Sequence, residues 1–323
     1  MKKILKWGIG SVGLVIIALA LMIAFGSSAP PPPMHSVIDV LAAIDRSDQP
    51  PISRFPARDG VQLAYRAYPA SPNKIAILIH GSSGSSAGMH AMGKALSKSG
   101  ITAFALDMRG HGESGAKGDI RYIGQLEDDL ADFVAYLRKT YPKAPITLIG
   151  HSAGGGFVLR VAGSPINHLF SRYIVTAPYL RYDAPTSRGM NSGGWSKPFI
   201  PRIIAIGILN GIGIDWFSGL PVIAFAIPAD SKGTKTYSYR LLANFAPHSD
   251  YLADFRRSNA SITILVGKND EIVIADKYES ALEPVKQYVR VEVIPGMGHV
   301  AMVSDPRALR AVLKACMAGQ PHG

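Results

Sequence analysis

Residues 146–154 read Ile146-Thr147-Leu148-Ile149-Gly150-His151-Ser152-Ala153-Gly154, an apolar run of strand length that ends in a G-x-S-x-G sequence. Residues 153–162 follow as a helix. A serine between a strand and a helix stands on a sharp turn, and small residues on both sides relieve the crowding there. The helix N-terminus behind it aims backbone N–H groups at negative charge that develops at the turn. The bare pentapeptide is common and also fits a plain glycine-rich turn. Placed between this strand and this helix, it points to an exposed nucleophile.

Outward from this turn the chain alternates. Residues 52–57 and 61–68 flank Asp59-Gly60, a hairpin signal. Residues 75–79 (IAILI) form a continuous apolar run, as a strand buried on both faces does. Helical stretches near 88–99 and 122–140 enclose a strand at 101–106, and a strand at 173–177 follows the serine helix. Further on come strand 262–266, helix 275–283, strand 289–294 and helix 305–318. Strands separated by helices predict an α/β architecture: a mostly parallel sheet covered on both faces. Residues 179–255 break the alternation with Gly, Pro and long apolar runs, and are read as an insertion over the sheet.

Four other stretches carry a resemblance. His80-Gly81-Ser82-Ser83-Gly84 follows the first buried strand. Asp107-Met108-Arg109-Gly110-His111-Gly112-Glu113-Ser114 follows the next. Gly267-Lys268-Asn269-Asp270-Glu271 and Gly296-Met297-Gly298-His299 follow two late strands. With Gly150–Gly154 these resemble the α/β-hydrolase family, in the branch of monoacylglycerol lipases, lysophospholipases and proline-iminopeptidase-like enzymes. The resemblance covers residues 52–318. It implies an "HG" oxyanion loop at His80, a D-x-R-G-H-G-x-S turn at Asp107, and a triad in the order Ser, Asp or Glu, His.

A hydroxyl is a poor nucleophile at neutral pH and needs a base beside it. Of nine histidines, only His299 and His322 lie beyond the acid loop, and His322 sits in the terminal tail. His299 is therefore the expected base and Ser152 the nucleophile. Asp270 is the expected acid, three residues after Gly267 as the family pattern has it, with Glu271 as the competing carboxylate. The implied oxyanion donors are the backbone N–H groups of Ala153 and Ser82. His80, His111 and His151 are read as turn-shaping residues, and Asp107 and Arg109 as braces of the loop. No metal-ligand pattern is present, Gly211-Ile212-Gly213 follows no buried strand of the core, and no cofactor is implied.

The amino terminus carries Lys2, Lys3 and Lys6 ahead of an uncharged run at 8–25. About 18–20 apolar residues suffice to cross the hydrocarbon core as a helix. Positive charge before the span predicts a single-pass anchor over residues 1–28 with the catalytic domain outside the cytoplasm. The competing expectation is a signal peptide cut after Gly26 or Ala29, giving a secreted or periplasmic protein; Pro30 makes the second site a poor one. Residues 29–51, opening on a proline run, are read as a spacer, and the hydrolase domain as 52–323. Cys316 is the one cysteine, so neither a disulfide within the chain nor a cysteine metal site can form. The net charge of +11 is spread along the chain without a stripe or reader motif, which argues against nucleic-acid binding; it suits solubility or attraction to anionic lipid.

Within the insertion, residues 203–214 and 216–227 are uncharged runs separated by Asp215, each too short to span a bilayer. They are expected to line an acyl-chain pocket, to dip into a lipid interface, or simply to pack. The resulting expectation is a membrane-anchored serine hydrolase of lipid-type carboxylic esters. Short-chain esters, thioesters, N-terminal prolyl peptides and a non-catalytic binding role are the alternatives.

Overall fold

The computed structural model describes residues 2–318, with the backbone alone at 2–10 and 12. His322 lies outside the described residues. Along the chain run α1 (Lys2–Phe25), α2 (His35–Ala42), β1 (Ile52–Pro56), β2 (Gln62–Tyr68), β3 (Ile75–Ile79), α3 (His90–Lys98), β4 (Thr102–Leu106) and α4 (Gln125–Arg138). Then come β5 (Ile146–His151), α5 (Ala153–Ala162), β6 (Arg172–Thr176), β7 (Ser196–Pro198), α6 (Ile200–Gly211), β8 (Pro221–Phe225) and β9 (Thr236–Ser238). The last elements are α7 (Tyr239–Asn244), α8 (Tyr251–Arg257), β10 (Ile262–Gly267), α9 (Tyr278–Leu282), β11 (Val289–Ile294) and α10 (Pro306–Met317).

Eight strands form one sheet in the order β1-β2-β4-β3-β5-β6-β10-β11. The six from β4 to β11 are parallel, and β1 and β2 close one edge antiparallel. All five residues of β3 and of β4 are buried, which is why β3 reads as an unbroken apolar run rather than as alternation. The hairpin turns at Gly60, which takes φ +81°. The strand order reverses at β3, between β4 and β5, and the crevice beyond the strand ends at such a reversal is where open α/β sheets bind ligands. Register brings Ile79 level with Leu106 and with Gly150. The loops after β3, β4 and β5 therefore leave the sheet along one edge.

Between β6 and β10 lies a second sheet, β7-β8-β9, all antiparallel, with α6, α7 and α8. The two apolar runs take different structures. The first becomes α6, whose Ile204, Ile208 and Ile212 point outward and are exposed. The second is a turn followed by β8, whose Val222, Ile223, Ala224 and Phe225 are buried.

The expected transmembrane anchor is not supported by the described residues. Although α1 is helical, no helix among the described residues is long and apolar enough to cross a membrane. The end of α1 is tied to α6. Arg202 of α6 donates from Nε to the carbonyl of Ile23 at 2.9 Å. A Cβ on Gly26 would lie 2.8 Å from the backbone nitrogen of Arg202, so the chain passes α6 at a distance only glycine permits.

The stretch read as a spacer is structured as well. It contains α2, whose Val37 is 3% exposed, and Met34 N–H donates to the carbonyl of Ala226 just beyond β8 at 2.9 Å.

Candidate active site

Ser152 caps α5 with φ +55° and ψ −122°, a conformation non-glycine residues rarely adopt and which costs about 1–3 kcal/mol. The surroundings hold it there. Its N–H donates to Thr176 O, and its carbonyl accepts from the N–H groups of Gly156 and Tyr179, each at 3.0 Å. The glycines of the motif are set by close packing. A Cβ on Gly150 would fall 2.4 Å from the carbonyl oxygen of Gly154, and one on Gly154 would fall 2.1 Å from that of His80. The first turn of α5 is thereby pressed on the loop after β3, and a Cβ on Gly81 would sit 3.1 Å from Ser152 Cβ.

Asp270 and His299 meet from the loops after β10 and β11. His299 Nδ1–H donates to Asp270 Oδ2 at 2.7 Å, both side chains being almost wholly buried. Asp270 Oδ1 accepts the N–H groups of Ile272 and Val273, each at 2.8 Å. Burial pushes this carboxyl up, but the His299 ring and the hydrogen bonds outweigh it, so its pKa lies below the ordinary carboxylate value. Glu271 does something else: its Oε2 accepts the backbone N–H of His299 at 3.0 Å. His299 Nε2 is buried and has no hydrogen-bond partner among the described residues, Ser152 Oγ included.

Ser152, His299, Ser82 and His80 line one cavity of about 60 Å³. Ser152, Ser82 and Ala153 line a second of about 80 Å³, whose far wall is Ile223, Phe225 and other residues from the chain between β6 and β10. The structure thus gathers Ser152, His299, Asp270, Ser82 and Ala153 at one place. A larger depression of about 660 Å³, with Arg172 and Lys314 in its wall, opens elsewhere on the surface, and none of these residues reaches it.

The loop bearing Ser82 is braced from two sides. Ser83, at φ +61°, donates its N–H to Tyr237 Oη at 3.0 Å. The Tyr237 hydroxyl donates in turn to His111 Nε2 at 2.5 Å, and His111 Nδ1–H donates to Arg109 O. His80 donates from Nδ1 to Gly81 O at 2.7 Å and accepts Met108 N–H on Nε2. Asp107 accepts the N–H groups of Ser86 and Glu113. Arg109 pairs with Asp129 at 2.7 Å and Asp59 at 3.1 Å. These residues are ties, with no free group turned to the cavities. Trp195 Nε1–H donates to Ser82 Oγ at 2.8 Å. Trp195 and Tyr237 were invisible to motif reading, because neither stands in a recurrent pattern.

The sequence profile of the family described as serine aminopeptidase, S33, matches residues 70–306. The chain belongs to that family. A monoacylglycerol lipase of Mycolicibacterium smegmatis is 30% identical over 107 residues, which is 32% of this chain and 38% of that protein. A monoglyceride lipase homolog of monkeypox virus is 31% identical over 115 residues, or 35% and 41% of the two chains. This S33 chain therefore spans about two fifths of the curated relatives it matches. The crystal structure of a soluble variant of the Saccharomyces cerevisiae monoglyceride lipase, in complex with a substrate analog, superposes with a TM-score of 0.61. It has 18% identity and covers 82% of this chain and 93% of that one. That likeness identifies the α/β-hydrolase fold.

The buried histidines of this S33 site make its stability fall in acid. Burial, then the neighbouring His299 ring, holds His151 down to about 3; burial also lowers His80 and His111. Below about pH 6.5 the unfolded chain takes up protons that the folded chain refuses, so stability declines as pH falls toward 3. The slope is about 1.4 kcal/mol per pH unit for each such group. Urea unfolding at pH 7, 6 and 5 is expected to show this decline, and His151→Gln to flatten it. An equal slope in the variant would mean that His151 is charged in the folded protein.

Proposed function

We propose that this chain is a serine esterase cleaving lipid-type carboxylic esters, monoacylglycerol- or lysophospholipid-like, through an acyl-enzyme on Ser152. Ser152 Oγ attacks the ester carbonyl while His299 Nε2 takes its proton. The carbonyl oxygen, now negative, accepts from the N–H groups of Ser82 and Ala153. The C–O bond then breaks, and His299 returns the proton to the departing alcohol. Water attacks the acyl-enzyme by the same route and frees the acid. The observation that carries this reading is the His299–Asp270 pair, with an unpartnered Nε2 on a ring lining the same cavity as Ser152. The names of the similar relatives agree with it. Against the aminopeptidase alternative, neither cavity is lined by a described Asp or Glu, the groups that would hold a substrate's terminal ammonium.

A fluorophosphonate probe is expected to label the wild type on Ser152. Monoacyl esters of two to sixteen carbons, compared below micelle-forming concentrations, are expected to peak in kcat/KM at medium or long chains. Each buried methylene is worth about 0.8 kcal/mol, and Ile223, Phe225 and Leu242 offer such burial beside Ser152. A maximum at two to four carbons, falling thereafter, would turn the reading to a short-chain esterase.

The reading includes work at a lipid surface. Ile204, Ile208 and Ile212 run along the outer face of α6 toward Trp216, which is 83% exposed, and the net charge is +11. An exposed apolar stripe of this kind on a chain of net positive charge suits the headgroup boundary of an anionic bilayer. The protein is expected to float with anionic vesicles, and Trp216→Ser with Ile212→Ser to weaken flotation several-fold. Equal recovery of the variant would remove α6 from the contact.

A further inference from the structure

The 60 Å³ cavity beside His299 is closed by a segment that belongs to no motif. Val37 and Leu41 of α2 form part of its wall, opposite Val300 and Val303, which follow His299 directly. The helix is short, yet its position is determined at both ends. Ahead of it, Met34 N–H donates to Ala226 O at 2.9 Å. Behind it, Arg46 donates to Leu41 O at 2.7 Å and to Ala87 O at 3.2 Å. Asp48 then accepts from His90 Nε2 at 3.0 Å, and His90 is itself tied to Tyr68 through Nδ1. Met34 is thus tied to the chain just after β8, Arg46 to the segment between β3 and α3, and Asp48 to the first residue of α3.

We infer that α2 walls the alcohol side of the site, and that Val37 and Leu41 make the enzyme select esters of compact alcohols over those with bulky head groups. This rests on the ester reading of Ser152. The side follows from chemistry: His299 must give its proton to the departing oxygen, so the alcohol lies next to His299. His299 lines the cavity closed by α2 and not the one lined by Ala153, Ile223 and Phe225. The acyl group takes the latter. The size follows from volume: at ~15 Å³ for each enclosed water, about 60 Å³ admits about four waters. That suits an alcohol of a few heavy atoms, and a phosphocholine has to extend beyond this volume, past the α2 wall.

The test holds the acyl chain constant as octanoyl and varies the alcohol: methyl, glyceryl and glycerophosphocholine. In Val37→Ala/Leu41→Ala, kcat/KM for the glycerophosphocholine ester relative to the methyl ester is expected to rise about tenfold or more, the effect of a few methylenes in a pocket. In Leu41→Phe the same ratio is expected to fall. Deacylation of the common octanoyl-enzyme is the same step for all three esters and does not enter the ratio of their kcat/KM values. Thermal melting checks that each variant is folded. A ratio unchanged in both folded variants overturns the inference while the ester reading stands. Wild-type protein that neither takes up fluorophosphonate nor forms an octanoyl-enzyme overturns the ester reading, and this inference with it.

Discussion

Ser152→Ala is expected to lower kcat on any hydrolysed ester by about 10⁴- to 10⁶-fold, the range seen when the nucleophile of such a triad is removed. The unfolding free energy is expected to stay within about 1 kcal/mol of wild type. The second expectation gives the first its meaning. What holds the turn at φ +55° is backbone: the bonds to Thr176, Gly156 and Tyr179, and the close approach of Gly150 and Gly154 to their neighbours. None of these uses the hydroxyl, so alanine inherits the conformation and loses only Oγ. Residual activity above the uncatalysed rate would come from substrate binding and the N–H groups of Ser82 and Ala153. The checks are steady-state hydrolysis, loss of fluorophosphonate labelling, and a urea melt on the same preparation. A folded Ser152→Ala protein with near wild-type turnover would move the nucleophile elsewhere.

How far this could be read from the chain depended on the kind of signal. The central strands declared themselves because burial on both faces makes β3 an uninterrupted apolar run and leaves Thr102 as the one polar residue of β4. The loops at Ser152, His80, Asp270 and His299 were legible because turn chemistry restricts their residue types, as the clashes awaiting a Cβ at Gly150 and Gly154 make concrete. The chain between β6 and β10 was different. Residues 203–214 and 216–227 are both uncharged apolar runs, yet most of the first is a helix with an exposed apolar face and the second a turn and a buried strand. Tertiary packing decides that, and no local period reports it. Proline-rich flanks hid α2: its eight residues are below the length at which helical spacing is informative, and it is held by distant partners, Ala226 and Ala87. Apolarity at 8–25 was read as a bilayer span, and the bond between the end of α1 and Arg202 of α6 was not legible in it. Apolarity alone does not say what covers it.

Asp270→Asn is expected to cost about 10⁴ in kcat, while Glu271→Gln is expected to stay within about tenfold of wild type. The two carboxylates are neighbours in sequence, and geometry separates them. Asp270 Oδ1 accepts two N–H groups, from Ile272 and Val273, and Oδ2 accepts Nδ1–H of His299. An asparagine would keep its carbonyl oxygen on the two N–H groups and turn its NH₂ toward His299. The ring would then have to accept on Nδ1 and carry its proton on Nε2, the atom that must receive the proton of Ser152. The geometry would survive with the wrong tautomer. Protonating Asp270 has the same consequence, and because its pKa lies below the ordinary value, loss of activity down to about pH 4 is expected to come from other groups. Glu271 meets only the backbone N–H of His299, which a glutamine carbonyl can still accept. The two variants, assayed on one ester from pH 5 to 9 with thermal melts alongside, decide the assignment. If Glu271→Gln were the more damaging while Asp270→Asn kept most activity, the acid role would belong to Glu271.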